Sequence, residues 1–211
     1  MLGIYGGTFD PVHFGHLRTA LEVKEALGLT ELRFLPCRSP PHRGPPGASP
    51  QQRLLLLEAA LLNNELGFSI DGSELGREGP SYMVDTLTSL REELGLDQPI
   101  CLILGLDAFA GLPSWHRWRD LLGLTHLAVM QRPDTPNPVW SRELEDHTRG
   151  RQTADFSDLQ GSPHGKIAFL EVTQLAISAT KIREIILAGK SPRYLLPDPV
   201  LWMIQSEGLY R

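Results

Sequence analysis

The sequence predicts an α/β protein built on a doubly wound parallel sheet with helices on both faces. Three observations predict it. Short apolar runs alternate with helical patterns along most of the chain, as strand–helix–strand units require. The runs are mostly continuous in their apolar character, which suits strands covered on both faces. The first of them passes directly into a glycine-rich turn and a helix start, the place where such sheets take ligands.

The elements follow in order. Apolar runs at 2–5, 32–36, 68–70, 100–105, 127–130 and 167–172 read as buried strands. After the first comes a helix from about His16, with Leu17, Ala20, Leu21 and Leu27 on one face and Gly28 as its stop. Ser49-Pro50-Gln51-Gln52 is a capping box with proline at the first helical position, and a leucine-rich helix follows it. A third helix is expected over 81–94, ending at Gly95, and a shorter one over 114–122 carrying Trp115 and Trp118. Residues 133–165 are polar and proline-bearing, and read as a long loop with one short helix near 142–147. A further helix starts near Ser178, and Asp198-Pro199 caps a last one over 200–206. The organisation is therefore one Rossmann-like domain over 1–211, with a helical portion from about 178 to 211.

Bulk properties narrow the function classes. The 211 residues, 41% of them hydrophobic, can bury a substantial core. The net charge of -5 argues against a general nucleic-acid or membrane-surface protein, which needs a basic face. Cys37 and Cys101 stand in apolar runs without metal or redox spacing and read as reduced thiols, so a cytoplasmic location is expected. No signal peptide or membrane span is read.

The chemistry concentrates in two runs. Gly6-Gly7-Thr8-Phe9-Asp10-Pro11-Val12-His13-Phe14-Gly15-His16 joins a glycine-rich turn to a helix N-terminus. Unpaired N–H groups and the positive end of the helix dipole attract phosphate there, and two histidines add mobile donors. The bland reading is that the histidines cap a helix or bind a metal. Small residues around them favour close approach of a ligand, and no further Cys, His or carboxylate completes a zinc set. Asp10-Pro11 is expected to fix the turn. The second run, Ile177-Ser178-Ala179-Thr180-Lys181-Ile182-Arg183, is another helix start with two hydroxyls and an arginine whose guanidinium can fork onto phosphate oxygens. Blandly, Ser178 is an N-cap and Arg183 a solvated side chain. Two nucleotide signatures fail. G-x-G-x-x-G is absent, and Gly189-Lys190-Ser191 lacks the glycine that a P-loop needs where Glu184 stands.

Residues 7–16 and 177–183 resemble the H-x-G-H-type turn and I-S-x-T-x-I-R-type helix start of the nucleotidylyltransferase superfamily. Pro40-Pro41-His42-Arg43, Pro80-Ser81-Tyr82 with Thr86-Leu87, Gly105-Leu106-Asp107, Pro113-Ser114-Trp115, Arg132-Pro133 and Gly208-Leu209-Tyr210-Arg211 narrow the resemblance to bacterial nicotinate-mononucleotide adenylyltransferases. It spans nearly the whole chain and is weakest over 134–165. Met83, where the family commonly has Thr, and Ala179, where it has Ser, depart from the pattern, and near Arg38–Ser39 the family usually has a small polar residue, often Asn.

The resemblance implies attack of the mononucleotide phosphate on the ATP α-phosphorus, without covalent intermediate, releasing pyrophosphate. Such a transfer asks for positioning and charge stabilisation. His16 is then expected at the α-phosphate and His13 at the leaving β- and γ-phosphates, with Arg183, Ser178, Thr180 and Ile177 on the other side. Gly7, Thr8 and Phe9 would meet the triphosphate or ribose, and Gly105 and Asp107 the ribose hydroxyls. Trp115 is expected to stack on the pyridine ring, with N–H groups near Tyr82, Met83 and His116 receiving its carboxylate. Trp118 reads as a core residue. Arg43 and Arg132 are expected at the acceptor phosphate. Mg²⁺ is implied as a companion of ATP, held by phosphate and water rather than by a protein site. ATP and nicotinate mononucleotide are the expected partners, nucleic acid and membrane are not, and homo-oligomerisation stays open. Rival readings are transfer to nicotinamide mononucleotide or phosphopantetheine, cytidylyl transfer, and a nucleotide-binding protein without turnover. A transfer-RNA-charging enzyme shares the histidine turn, but this chain has no anticodon-binding region.

Overall fold

A computed structural model of the chain describes all residues except 39–45, 63–64, 78, 132–138 and 174. Its strands are β1 (Leu2–Gly7), β2 (Glu31–Pro36), β3 (Phe68–Ile70), β4 (Ile100–Gly105), β5 (His126–Gln131), β6 (Gln152–Thr153) and β7 (Ile167–Glu171). They form one sheet in the order β3-β2-β1-β4-β5-β7-β6, and every pairing is parallel. From β1 the chain winds outward through β2 and β3, then returns to the other side of β1 to lay down β4. The strand order therefore reverses between β1 and β4, where Tyr5 faces Ile103 in register.

The helices are α1 (Phe14–Leu27), α2 (Pro50–Ala60), α3 (Met83–Leu94), α4 (Leu106–Ala110), α5 (Arg142–Thr148), α6 (Ala179–Leu187) and α7 (Asp198–Glu207). Both faces of the sheet are covered, as the apolar runs predict. Along β4, Cys101 and Ile103 face a core built with Ala20, Val23 and Leu27 of α1, Leu56 of α2 and Leu201 of α7. Ile100, Leu102 and Leu104 face a second core with Leu87 and Leu90 of α3, Phe109 of α4 and Trp118. This period-2 division leaves β4 no face for water, whereas β2, nearer the sheet edge, alternates Glu31 and Arg33 with buried Leu32 and Phe34.

The local signals act as physics requires. Gly28 ends α1 in the left-handed region (φ 58°). The Ser49 hydroxyl accepts the Gln52 N–H, and the Gln52 carboxamide accepts the Ser49 N–H. Ser178 caps α6, accepting the Lys181 N–H. Several expectations need correction. The helix expected over 114–122 is two 3₁₀ segments, Leu112–Ser114 and Trp118–Gly123, separated by Arg117 at φ 49°. A left-handed residue cannot continue an α-helix. The short helix α4 follows β4 at once, and the two-residue β6 and a 3₁₀ segment (Phe156–Leu159) lie within the expected loop. Asp198 is the first residue of α7 and makes no side-chain cap; Pro197 occupies the cap position.

Candidate active site

A cavity of about 790 Å³ opens at the carboxyl edge of the sheet, over the β1/β4 reversal. Ligands bind at such edges because neighbouring loops diverge there and helix N-termini point inward. Its floor is Tyr5 and Gly6 of β1, Leu35 of β2, Leu102 and Leu104 of β4 and Met130 of β5. One wall is the turn from β1 to α1 and the opposite wall is the start of α6, so the two runs singled out in the sequence face one space.

The turn from β1 is held in an unusual shape. Phe9 lies in the left-handed region at φ 48°, a conformation bulky residues seldom adopt. Its buried ring lies so close to Gly7 that a Cβ there would come within 2.8 Å of it. Glycine is thus required at position 7 by this ring. Arg53 of α2, wholly buried, donates to the carbonyls of Thr8 (2.7 Å) and Arg38 (2.9 Å) and so anchors the turn from beneath. Its Nε has no hydrogen-bond partner among the described residues.

The histidines are not two free donors. Their rings stack at 3.7 Å with planes 23° apart, and His13 is only 4% exposed. Burial lowers the His13 pKa to about 4, so this ring is neutral at pH 7. Two imidazolium charges at such a separation would repel by about 4 kcal/mol even at an effective dielectric of 20. The N–H of His13 donates to Nδ1 of His16 (3.3 Å), which assigns the His16 proton to Nε2. Nδ1 of His13 is buried without a partner among the described residues, and His13 lines the cavity.

Asp10 fixes more than its own turn. Its carboxylate accepts N–H groups from Gly47 (2.7 Å) and Ala48 (3.1 Å) and the Tyr210 hydroxyl (2.8 Å). Arg183 Nη1 donates to the Asp10 carbonyl (2.6 Å) and lies 3.5 Å from its carboxylate, while Nη2 donates to Thr180 Oγ1 (3.3 Å). The guanidinium therefore bridges the two walls. Gly15 allows the same approach lower down, since a Cβ there would lie 2.9 Å from His13 Nδ1 and 3.5 Å from the Ile177 carbonyl.

The other end of the cavity is aromatic. Tyr82 and His116 rings lie 4.4 Å apart, and Trp115 lines the same space half-buried. Tyr82 is the N-cap of α3, so the first N–H groups of that helix open here. Met83 reaches under Gly6, with its Cε 2.9 Å from where a Cβ would stand. Trp118 is 6% exposed and belongs to the core. Glu74, a cavity residue absent from the sequence reading, is 2% exposed; Thr86 Oγ1 donates to it (2.6 Å), and burial pushes its carboxyl pKa up.

Of the expected site residues, Gly7, Thr8, Phe9, His13, His16, Ile177, Ser178, Thr180, Arg183, Tyr82, Met83, Trp115 and His116 line this one cavity. Gly105 and Asp107 do not. Gly105 ends β4 and caps α4, which starts at once and leaves Asp107 on its exposed side. Arg43 and Arg132 lie outside the described residues. The missed residues are Asp10's network, Arg53 and Glu74. Arg53 carries a signal: it shares a helical face with Leu56 and Leu57, and a cation on an apolar stripe needs an internal partner. Among the described residues no three His, Cys, Asp or Glu cluster as metal ligands, and no helix is long and apolar enough to cross a membrane.

A parallel sheet with a glycine-rich, histidine-bearing turn on one side of its reversal and a helix start with two hydroxyls and an arginine on the other has the make-up of a nucleotide-handling α/β protein. The cytidylyltransferase-like family model matches residues 4–185. A chain of Methylococcus capsulatus named "Probable nicotinate-nucleotide adenylyltransferase" is 58% identical over 210 residues, covering 100% of this chain and 99% of that one. A chain of the same name from Dechloromonas aromatica is 51% identical, covering 100% and 97%. The solved Plasmodium falciparum nicotinic acid mononucleotide adenylyltransferase, complexed with NaAD, shares the fold at a TM-score of 0.73 with 15% identity, covering 99% of this chain and 96% of that one. The chain belongs to the nicotinate-nucleotide adenylyltransferase family.

Proposed function

We propose that this protein transfers the adenylyl group of ATP to nicotinate mononucleotide, forming nicotinate adenine dinucleotide and pyrophosphate. The observation that carries this reading is the cavity shared by the 6–16 and 177–183 runs and ended by an aromatic cluster. One ligand region suits a triphosphate and the other a flat ring with a negative group.

The reaction forms a bond from an acceptor phosphate oxygen to the ATP α-phosphorus and breaks the bond to the β-phosphate bridging oxygen. Negative charge moves onto the departing pyrophosphate. His16, with its proton assigned to Nε2, donates to an α-phosphate oxygen as the centre becomes crowded and charged. His13 stays neutral and offers its buried ring edge to the leaving phosphates without the cost of a second cation. Arg183, Ser178 and Thr180 receive the tail from the α6 side, where the helix dipole adds to the guanidinium charge. Holding both reactants in line is the larger part of the work, since the chain forms no bond to either.

The residues present fit a divalent cation that arrives with ATP. Asp10 already accepts three donors beside Arg183. Mg²⁺ would be held by phosphate oxygens and water, and when bound it neutralises charge on the leaving pyrophosphate. Acceptor choice rests on the α3 start, where N–H groups receive a carboxylate better than an amide; an unpaired donor costs about 1–3 kcal/mol. Trp115 supplies the stacking face. Incubation with ATP, Mg²⁺ and either the acid or the amide mononucleotide tests the reading. The acid dinucleotide is expected as the main product, and a preference for the amide, or no dinucleotide at all, rejects it.

A further inference from the structure

The run Gly208-Leu209-Tyr210-Arg211 has no part in the chemistry above, yet it reaches the site. Gly208 (φ 63°) turns the chain back at the end of α7, and Leu209 enters the core at 8% exposure. Tyr210, itself at φ 64°, then lays its ring against Gly47, where a Cβ would come within 3.0 Å of it. Its hydroxyl donates to Asp10 Oδ1 at 2.8 Å. Burial and the Asp10 charge hold the phenol pKa well above its ordinary value, so the proton stays on the oxygen and the group remains a donor.

Asp10 is the junction. Oδ1 takes Tyr210 and the Ala48 N–H, and Oδ2 takes the Gly47 N–H, so the carboxylate plane is fixed from two sides. Arg183 Nη1 rests on the Asp10 carbonyl and near Oδ2, which turns one edge of the guanidinium inward and leaves the side chain about one third exposed at 34%. The Arg183 Cδ lies 3.4 Å from the Cβ position of Gly47, so Tyr210, the Gly47 turn and Arg183 are packed as one cluster.

We propose that Tyr210 is a positioning residue for ATP: through Asp10 it fixes the guanidinium of Arg183 at the wall of the cavity. The proposal rests on the reading of Arg183 as a triphosphate ligand. Loss of the hydroxyl leaves Oδ1 with the Ala48 N–H alone and loosens the carboxylate, which only two backbone donors then hold. The nearest cation, Arg183, follows it, and its fork no longer meets phosphate oxygens in a fixed plane. The acceptor end of the cavity, built from α3 and Trp115, is untouched.

Steady-state kinetics with each substrate varied separately test this on Tyr210→Phe, Asp10→Asn and the double variant. Y210F is expected to raise the KM for ATP about three- to tenfold, as loss of a hydrogen bond to a charged group transmitted through one partner would, while the acceptor KM holds. D10N is expected to act in the same direction. The double variant should be no worse than the larger single one, because both cut one chain of contacts. Equal rises in both KM values, additive effects, or an unchanged ATP KM overturn the proposal. Should Y210F fail to fold, D10N alone decides by the same split between substrates. A wild-type protein that forms no dinucleotide removes the underlying reading instead, so the two failures are told apart.

Discussion

The two ends of the sheet each bury an arginine, and they treat it differently. At the amino edge Arg91 of α3, 5% exposed, donates to five carbonyls, among them Leu124 (2.7 Å) and Pro163 (2.8 Å). His126 beside it is equally settled, its Nε2 on the Ser162 carbonyl (2.8 Å) and its Nδ1 accepting the Lys166 N–H (3.0 Å). At the carboxyl edge Arg53 donates to two carbonyls, and both its Nε and His13 Nδ1 lack partners among the described residues. At the amino edge the buried arginine and histidine have closed their donors and acceptors on the protein, although Ser162 Oγ beside His126 lacks a partner among the described residues. The carboxyl edge keeps some open and holds Phe9 in a strained conformation, as a site prepared for a ligand does. On the proposed function the same fold separates stability from chemistry along the strand axis.

The contrast can be broken at either end. On the proposed function His16→Ala removes a donor to transition-state charge, and turnover should fall on the order of 10²–10³ with the melting temperature nearly unchanged. A variant with near-normal turnover would take the chemistry away from this edge. Arg91→Ala should do the reverse. Five carbonyls lose a charged donor in a buried place, and the loss of unfolding free energy should be about 3 kcal/mol or more. Urea titration measures that loss, and kcat/KM well below the transition should match the wild type. Reduced kcat/KM in folded R91A would mean the two ends are not separable.

Acid should weaken the fold through the open end. His13 has a folded pKa of about 4 against an ordinary 6.5, so below pH 6.5 the unfolded chain binds the proton that the native one refuses. Its contribution is fully present above pH 6.5 and is lost as the pH falls toward 4, by roughly 2–3 kcal/mol. His126 and His147, also lowered chiefly by burial, tilt the curve the same way. His13→Gln should make the limb between pH 6.5 and 4 shallower by that amount. An unaltered limb in denaturation at stepped pH would show that His13 is not held neutral by burial.

Sequence alone reached far for what is local. Six apolar runs became strands within a residue or two, and Gly28, Ser49 and Ser178 stand where caps require them. Both runs that wall the cavity were readable because each is contiguous and each opens a helix. What escaped is non-local. The partners of Asp10 lie 37, 38, 173 and 200 positions away, and no spacing rule connects them. The helix expected over 114–122 failed because Arg117 adopts a left-handed conformation that its residue type does not announce. Likewise the neutrality of His13 follows from stacking and burial, which a histidine pair in a string of letters does not reveal.

The smallest expected effect is the most discriminating, because it sets stability against activity at one atom. Gly15 is the second residue of α1, where alanine ordinarily favours the helix by up to about 1 kcal/mol over glycine. Its added methyl would meet His13 at 2.9 Å from Nδ1 and 3.0 Å from Cε1. That ring cannot swing clear, since His16 stacks on it and only 4% of it is exposed. A shift of a few tenths of an ångström must therefore pass into the histidine pair, and turnover should drop about tenfold, as misaligned catalytic groups do. The melting temperature should hold or rise. Gly123, near the amino edge, has ordinary backbone angles and open space where a Cβ would stand. Gly123→Ala should leave both turnover and stability close to wild type. If G15A and G123A behave alike in turnover, the carboxyl edge has more slack than its stacked histidines imply, and the separation of roles along the strands loses its sharpest support.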